Sequence, residues 1–156
     1  MILLKNPPFR TSRLGVLLTV VSIFGTSAIG QEPEQEKQIR MLGRCPGCNF
    51  EQLDLTGRKL TGIDLTEADL RDVDFSGAGL NLSLFDYATL ENVSFVSADL
   101  TGASFTGATL INVSLKNAVL KAAVFEDAIL IDTDLDAGIH CNTQVPDETM
   151  VSAECD

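Results

Sequence analysis

The sequence has few of the side chains that most enzymes and nucleic-acid-binding proteins use. Its 156 residues include no tryptophan, one tyrosine and one histidine, and 11 basic side chains stand against 22 acidic ones. General acid–base catalysis needs at least two groups of suitable pKa within hydrogen-bond reach, and few are available here. Contact with nucleic-acid phosphates requires clustered Lys and Arg. We therefore expect no nucleic-acid binding, and the composition gives little support for catalysis.

Motifs that mark common catalytic sites are also missing. The sequence contains no G-x-S-x-G, no phosphate-binding loop and no H-E-x-x-H. The single histidine, His140, falls at an inner position near the C-terminal end, where a packed residue is favoured over a general base. We predict that the protein is not an enzyme and needs no cofactor.

Long apolar runs are absent except in the first 30 residues. There a basic segment without any acid precedes LGVLLTVVSIFG, and small residues, Ala28 and Gly30 among them, lie before a cut at Gln31. This is the layout of a secretory signal peptide. A retained membrane anchor is disfavoured, because the run is shorter than the ~20 apolar residues that span a bilayer. Residues 1–30 are thus predicted to direct export and to contact a membrane only transiently.

A five-residue repeat fills most of the remaining chain. From Phe50 to Leu135 every fifth residue is Leu or Phe, 18 times without a break. Two residues before each lies a smaller side chain, mostly Ala or Val, and a polar residue, often Asp, lies between them. Residues five apart make no stripe on an α-helix and alternate faces on a straight strand. Each unit is therefore predicted to be a short extended piece followed by a corner of turn-forming residues.

A second period, of twenty residues, predicts that four corners close one coil. LENVSF (90–95) returns as LINVSL (110–115), and the phenylalanines also recur at this spacing. Like residues then stack on like in a solenoid whose coils bury their inner residues against each other. Two columns on opposite sides of the square mark the predicted core: Phe75 and Phe95 in one, Phe85, Phe105 and Phe125 in the other.

The units ADLTG (98–102), ASFTG (103–107) and ATLIN (108–112) are similar to the A(D/N)Lxx consensus of the pentapeptide-repeat family. The resemblance covers residues 48–137. It implies an all-β fold, a right-handed quadrilateral β-helix of about 4.5 coils. It says less about function, since one fold hosts several unrelated roles in this family.

The two ends of such a solenoid need covering. Residues 31–47 are predicted to form an N-terminal cap with a short helix over 32–42, because Pro33 suits a first turn and Gly43 suits a helix end. Residues 138–156 leave the five-residue rhythm and are predicted to form a C-terminal cap closed by a disulfide.

Four cysteines lie in these end regions: Cys45, Cys48, Cys141 and Cys155. An even number of cysteines in an exported protein indicates disulfides. The CPGC segment and the tail CNT-x-x-PD resemble exported cyanobacterial members of the family, from the periplasm or the thylakoid lumen. Three pairings are possible. We favour Cys45–Cys48 and Cys141–Cys155, because the predicted solenoid holds its two ends too far apart for a cross-link.

Alternating aspartates near the C-terminal end are weak candidates for a metal site. Asp132, Asp134 and Asp136 resemble the start of an EF-hand calcium loop. Ala137, however, stands where that loop needs glycine, and Thr143 stands where it needs a bidentate Glu. Solvated acidic faces explain the same residues, so no specific metal site is predicted.

The favoured function is a non-enzymatic exported scaffold or protein-interaction module with an acidic surface and an unknown protein partner. One alternative comes from the family resemblance, because some members imitate DNA and bind a type II topoisomerase. Predicted export argues against it, since gyrase is cytoplasmic. A second alternative is a thiol-redox protein that uses Cys45 and Cys48, although the helix start that would lower a thiol pKa is not visible. Oligomeric state is left open.

Overall fold

The five-residue units form the sides of a parallel β-helix. The computed structural model describes residues 43–153 and residue 155. The predicted signal peptide (1–30) and the predicted helix (32–42) lie outside these residues. One side of every coil is a three-residue strand, and the five strands form a single parallel sheet in chain order. The strands are β1 (Asn49–Glu51), β2 (Asp69–Arg71), β3 (Thr89–Glu91), β4 (Thr109–Ile111) and β5 (Ile129–Ile131).

The register between coils is twenty residues on all four sides. Strand pairing joins Leu70 to Leu90, and single β-bridges do the same elsewhere, as between Leu84 and Ser104. We number the sides by their outward residues. Side 1 contains the strands β1–β5. Side 2 contains Asp54, Asp74, Ser94 and Ser114, and side 3 contains Lys59, Gly79, Asp99 and Val119. Side 4 contains Arg44, Asp64, Leu84, Ser104 and Val124. The predicted all-β quadrilateral β-helix is confirmed, with four complete turns between β1 and β5.

The core is the stack of inner residues that the five-residue period marks. Of the 18 Leu and Phe positions, 16 are buried, and the two half-buried ones, Leu60 and Leu130, belong to the outer coils. The rings of Phe85, Phe105 and Phe125 stack in parallel with centroids 4.8 Å apart at each step. The rings of Phe75 and Phe95 stack at 5.3 Å in the second column, and the two columns meet edge to face. All five phenylalanines are fully buried.

Every corner of the repeat contains a residue with left-handed backbone geometry. In the unit that starts at Phe95, Ser97 has a φ of 57°, and the N–H of Ala98 donates to the carbonyl oxygen of Phe95 at 3.0 Å. A positive φ at the third residue of such a turn favours Gly, Asn and Asp. Thr-Gly and Ser-Gly pairs in the sequence therefore mark corners.

The corner after side 1 explains why the segment NVS recurs. Asn92 and Asn112 occupy it with φ of 55° and 52°, a conformation that Asn tolerates better than most residues. The Asn112 side-chain amide donates to Oδ1 of Asn92 at 2.7 Å, and Asn92 donates in turn to Oδ1 of Asp72 at 3.1 Å. These residues therefore form a ladder of hydrogen bonds along one edge of the β-helix.

Replacing the middle residue of this ladder should weaken the fold measurably. We expect Asn92→Ala to lower the free energy of unfolding by about 1–2 kcal/mol, because alanine is disfavoured in the left-handed region and the ladder is cut. Asn92→Gly relieves the backbone but also cuts the ladder, so it should cost less. Equilibrium urea unfolding measures both. Equal losses in the two variants would contradict the backbone argument.

The coil continues past the last repeat into the C-terminal cap. A single 3₁₀ turn, Leu135–Ala137, is followed by an antiparallel hairpin of β6 (Thr143–Gln144) and β7 (Met150–Val151). Gln144 still bridges Val124 on side 4, so the twenty-residue register reaches into β6. Within residues 43–153 no helix is both long and apolar enough to cross a membrane.

Candidate interaction surface

Outward-facing aspartates stabilise the corners of the β-helix. In each case Oδ1 of the aspartate accepts the backbone N–H of the residue two positions later in the sequence. The distances are 2.9 Å for Asp54, 2.8 Å for Asp74 and 3.0 Å for Asp99. Such a turn lets a carboxylate satisfy a backbone donor at the start of a bend. The frequent Asp of the repeat therefore has a structural role, and an acidic surface follows from it.

Hydrogen bonds keep two exposed carboxyl groups ionised. The Thr56 side chain and its backbone N–H lower the pKa of Asp54, and those of Thr149 lower the pKa of Asp147. A carboxyl group with a lowered folded-state pKa adds stability above its unfolded pKa, and this contribution is lost as pH falls through the folded value. At neutral pH both groups are fully charged.

Acidic side chains far outnumber basic ones on this surface. Residues 43–153 contain six Lys and Arg against 17 Asp and Glu, a net charge of 6 − 17 = −11. The Arg71 guanidinium lies 3.0 Å from a carboxylate oxygen of Asp69 and 3.8 Å from one of Glu91. These carboxylates, Asp69 above all, raise the pKa of Arg71. Arg44 lies 3.7 Å from Asp64. Exposed pairs such as these add little stability, but they reduce the positive charge available to a partner.

The three candidate metal ligands do not form a cluster. Asp132 occupies an exposed left-handed corner with a φ of 49°. Asp134 precedes the 3₁₀ turn, and its Oδ1 accepts the backbone N–H of Asp136 at 3.1 Å. Among the described residues no three His, Cys, Asp or Glu side chains are arranged to hold a metal ion. The alternation of these aspartates serves turn geometry instead.

His140 packs inside the C-terminal cap. Its side chain is buried, and Nε2 lies 2.8 Å from the carbonyl oxygen of Leu135. A carbonyl oxygen only accepts, so Nε2 carries the proton in this arrangement. Nδ1 is buried as well, and among the described residues it has no hydrogen-bond partner. The histidine therefore holds the 3₁₀ turn against the last coil.

Two disulfides lie at the two ends of the β-helix. Cys45 pairs with Cys48 at a Cα–Cα distance of 5.5 Å, and Cys141 pairs with Cys155 at 4.8 Å. These are the pairings that the sequence favours. Cys45 and Cys141 are buried, so each bridge fastens a terminal segment to the core.

Removing the C-terminal bridge should destabilise the protein more than removing the N-terminal one. Cys141 and Cys155 are separated by 14 positions in the sequence, whereas Cys45 and Cys48 are separated by three, so the C-terminal bridge closes the longer loop. Loop entropy predicts a loss of about 3 kcal/mol for Cys141→Ser/Cys155→Ser. Guanidinium unfolding of this variant, beside Cys45→Ser/Cys48→Ser as the matched control, measures the difference. A larger loss in the control would contradict the prediction.

A cluster of exposed apolar side chains breaks the acidic surface on side 4. Leu82 and Tyr87 are each 65 % exposed and Leu84 is 39 % exposed. These residues are not among the functional candidates that the repeat pattern indicates. The sequence does contain a sign of them, because Leu82 and the only tyrosine stand at corner positions where turn-forming residues are expected. Large exposed apolar clusters in soluble proteins often mark contact surfaces.

A family model described as pentapeptide repeats matches the chain in eight copies, over residues 48–85, 80–117 and 103–137. Together these segments cover residues 48–137, more than half of the sequence. No curated protein matches the chain.

Several solved structures are similar. HetL, a pentapeptide repeat protein involved in heterocyst differentiation regulation in the cyanobacterium Nostoc sp. strain PCC 7120, is 29 % identical with a TM-score of 0.65. That match covers 69 % of this chain and 51 % of HetL, so the chain spans about half the length of HetL. A pentapeptide repeat protein of the Arabidopsis thaliana thylakoid lumen is 25 % identical, with a TM-score of 0.41 and coverage of 69 % and 68 %. QnrB1, a plasmid-mediated fluoroquinolone resistance protein, is 17 % identical, with a TM-score of 0.29 and coverage of 62 % and 65 %.

Proposed function

The chain belongs to the pentapeptide-repeat family, and from this premise we propose that it is an exported, non-enzymatic scaffold that binds a protein partner through its acidic surface. The observation that carries the proposal is that apolar side chains face inward and acidic side chains face outward. Inner residues fill a dry core, and most acidic residues point outward from a regular and rigid backbone. Such a scaffold presents side chains at fixed spacings, which suits recognition.

Among the described residues, the histidine and the cysteines are not available as catalytic groups. His140 is buried against a backbone carbonyl, and the four cysteines are bound in disulfides. Members of this family are generally structural or interaction modules. A non-enzymatic role therefore accounts for the described side chains without further assumptions. Reproducible turnover by the purified protein in hydrolase and oxidoreductase assays would contradict it.

Two features support export. Residues 1–30 have the layout of a signal peptide, and both disulfides would persist in an oxidising compartment. We propose the periplasm or the thylakoid lumen as the destination.

A reporter fusion tests export directly. Residues 1–40 joined to alkaline phosphatase, which is active only after export, should give an active reporter. A matched fusion with Leu17→Arg and Val20→Arg interrupts the apolar run and should abolish this activity. Equal activity of the two fusions, or retention of the first in the cytoplasm, would contradict export. Retention would also favour the alternative in which the acidic surface imitates DNA for a topoisomerase.

A partner can be sought with photo-crosslinking residues placed on separate sides of the β-helix in the native host. A scaffold should give a specific crosslinked partner from at least one side, identified by mass spectrometry. The absence of any specific product from all four sides would contradict the proposal.

A further inference from the structure

Three large apolar side chains on side 4 lie where the fold does not require them. Leu82 and Tyr87 occupy corners with φ of 59° and 58°, a region disfavoured for residues with a Cβ. Both remain mostly exposed, so burial does not explain their choice. The equivalent corners of neighbouring coils hold small or polar residues: Gly62, Gly102 and Ala122 at one, Gly47, Glu67, Gly107 and Asp127 at the other. Large apolar side chains that stay exposed at corners where the other coils hold small or polar residues indicate a role outside folding.

The next coil leaves room for these side chains to lie flat. A Cβ added to Gly102 would lie 2.9 Å from Cδ2 of Leu82, and one added to Gly107 would lie 2.6 Å from Cε1 of Tyr87. The two side chains therefore rest directly on glycine backbone. Such a placement restricts their rotamers before any partner binds, and this lowers the entropy lost on association.

Leu84 completes the apolar surface between them. It lies between the corners of Leu82 and Tyr87 and bridges Ser104 of the next coil. We call Leu82, Leu84 and Tyr87 together the side-4 patch. Beside it the Asp86 carboxylate is fixed, because it accepts hydrogen bonds from the Ser104 hydroxyl and from the Thr106 N–H.

Carboxylates lie on the side of the β-helix that holds the side-4 patch. Besides Asp86 they are Asp64 and Glu67 in the coil before, and Glu126 and Asp127 two coils after. Arg44, which pairs with Asp64, and Lys121 are the basic residues at the margins of this side. A second copy of this chain would bring carboxylates against carboxylates, which is unfavourable. A partner with the opposite charge gains attraction and steering over the same surface.

We propose that the side-4 patch is a docking surface for a polypeptide segment in which Lys or Arg residues flank aliphatic or aromatic ones. The apolar side chains of the segment contact Leu82, Leu84 and Tyr87, and its basic groups meet the surrounding carboxylates. This inference rests on the proposed scaffold function and specifies the chemistry of the partner. Tyrosine is one of the residue types that contribute most to affinity when they lie near the centre of a contact surface.

Fluorescence anisotropy with the full chain tests the docking surface. The probes are three labelled seven-residue peptides, one alternating lysine and leucine, one alternating lysine and serine, and one alternating glutamate and leucine. Only the lysine–leucine peptide should bind, and added salt should weaken its binding. The variant Leu82→Asn/Leu84→Ser/Tyr87→Asn should raise Kd by about tenfold or more. Asparagine suits the two corners, so circular dichroism and thermal unfolding should match the wild type.

A matched control removes exposed apolar area from another side. Ile129→Thr/Ile131→Thr alters two exposed residues of β5 on side 1 and should leave Kd within about twofold. Equal weakening in both variants, or equal binding of all three peptides, would overturn the docking surface. Conversion of a dimer to a monomer by the side-4 variant, seen by light scattering, would assign the patch to a second copy and would also overturn it. A crosslinked native partner that binds this variant as tightly as the wild type would overturn the docking surface alone, and the scaffold function would stand.

Discussion

Exchanging two neighbouring residues, Ala98→Asp with Asp99→Ala, is expected to abolish folding although the composition does not change. Ala98 is fully buried inside the coil, whereas Asp99 points outward and accepts the N–H of Thr101 at 3.0 Å. The exchange places a carboxylate in a dry core, at a cost of several kcal/mol per ion. Domains of this size are stable by only about 5–15 kcal/mol. Far-ultraviolet circular dichroism and guanidinium unfolding should therefore show an unfolded or severely destabilised protein.

Two single variants separate the parts of this effect. Asp99→Ala keeps the core intact and removes two hydrogen bonds, the corner bond and the one that the Asn81 side-chain amide donates to Oδ2, so it should cost about 1–2 kcal/mol. Ala98→Ser should be tolerated, because Ser83 already occupies the same inner register, where its hydroxyl lies 3.2 Å from the carbonyl oxygen of Leu60. If the exchanged variant folds with nearly wild-type stability, residue 98 does not face the core and the assignment of inner positions is wrong.

Truncation of Phe105 should produce the largest loss among single core substitutions. Its ring lies between Phe85 and Phe125, 4.8 Å from each centroid, and meets Phe95 edge to face at 5.9 Å. Phe105→Ala should lower the free energy of unfolding by about 3–5 kcal/mol, because it leaves a cavity that rigid neighbouring coils cannot close. Guanidinium unfolding followed by circular dichroism measures this loss.

The control for this truncation is a leucine, the residue that fills most other inner positions. Phe105→Leu should cost less than half as much, since the column keeps most of its volume. Tyr87→Ala removes an exposed ring of similar size and should change stability by about 1 kcal/mol or less. A similar loss for Phe105→Ala and Tyr87→Ala would show that stacked rings inside the coil do not hold the fold together.

The repeat period was sufficient to predict the fold. Five-residue spacing identified the inner residues, and twenty-residue spacing placed Phe85, Phe105 and Phe125 in one column. Both conclusions depend only on the requirement that every coil bury the same face against the next coil, so local sequence encodes them repeatedly. The disulfide pairing followed from the same picture, because a stack of coils separates Cys45 from Cys141.

The candidate site was harder to predict because surface chemistry depends on contacts between coils. Asp134 appeared beside Asp132 and Asp136 as a possible metal ligand, whereas the structure uses its carboxylate to cap a turn. Leu82 and Tyr87 lie five residues apart in sequence. Their common orientation depends on Gly102 and Gly107 in the following coil, and no motif within one unit records that relation.

The sequence alone determined which residues face inward and how many units close a coil, because a strict period leaves a single arrangement that turns every repeated Leu and Phe toward the core. The tertiary structure decided what the outer surface offers. Coils stacked in a twenty-residue register bring a strained tyrosine onto a glycine of the next coil and bring carboxylates from three coils around it. That arrangement arises between distant residues, and only folding puts them in contact.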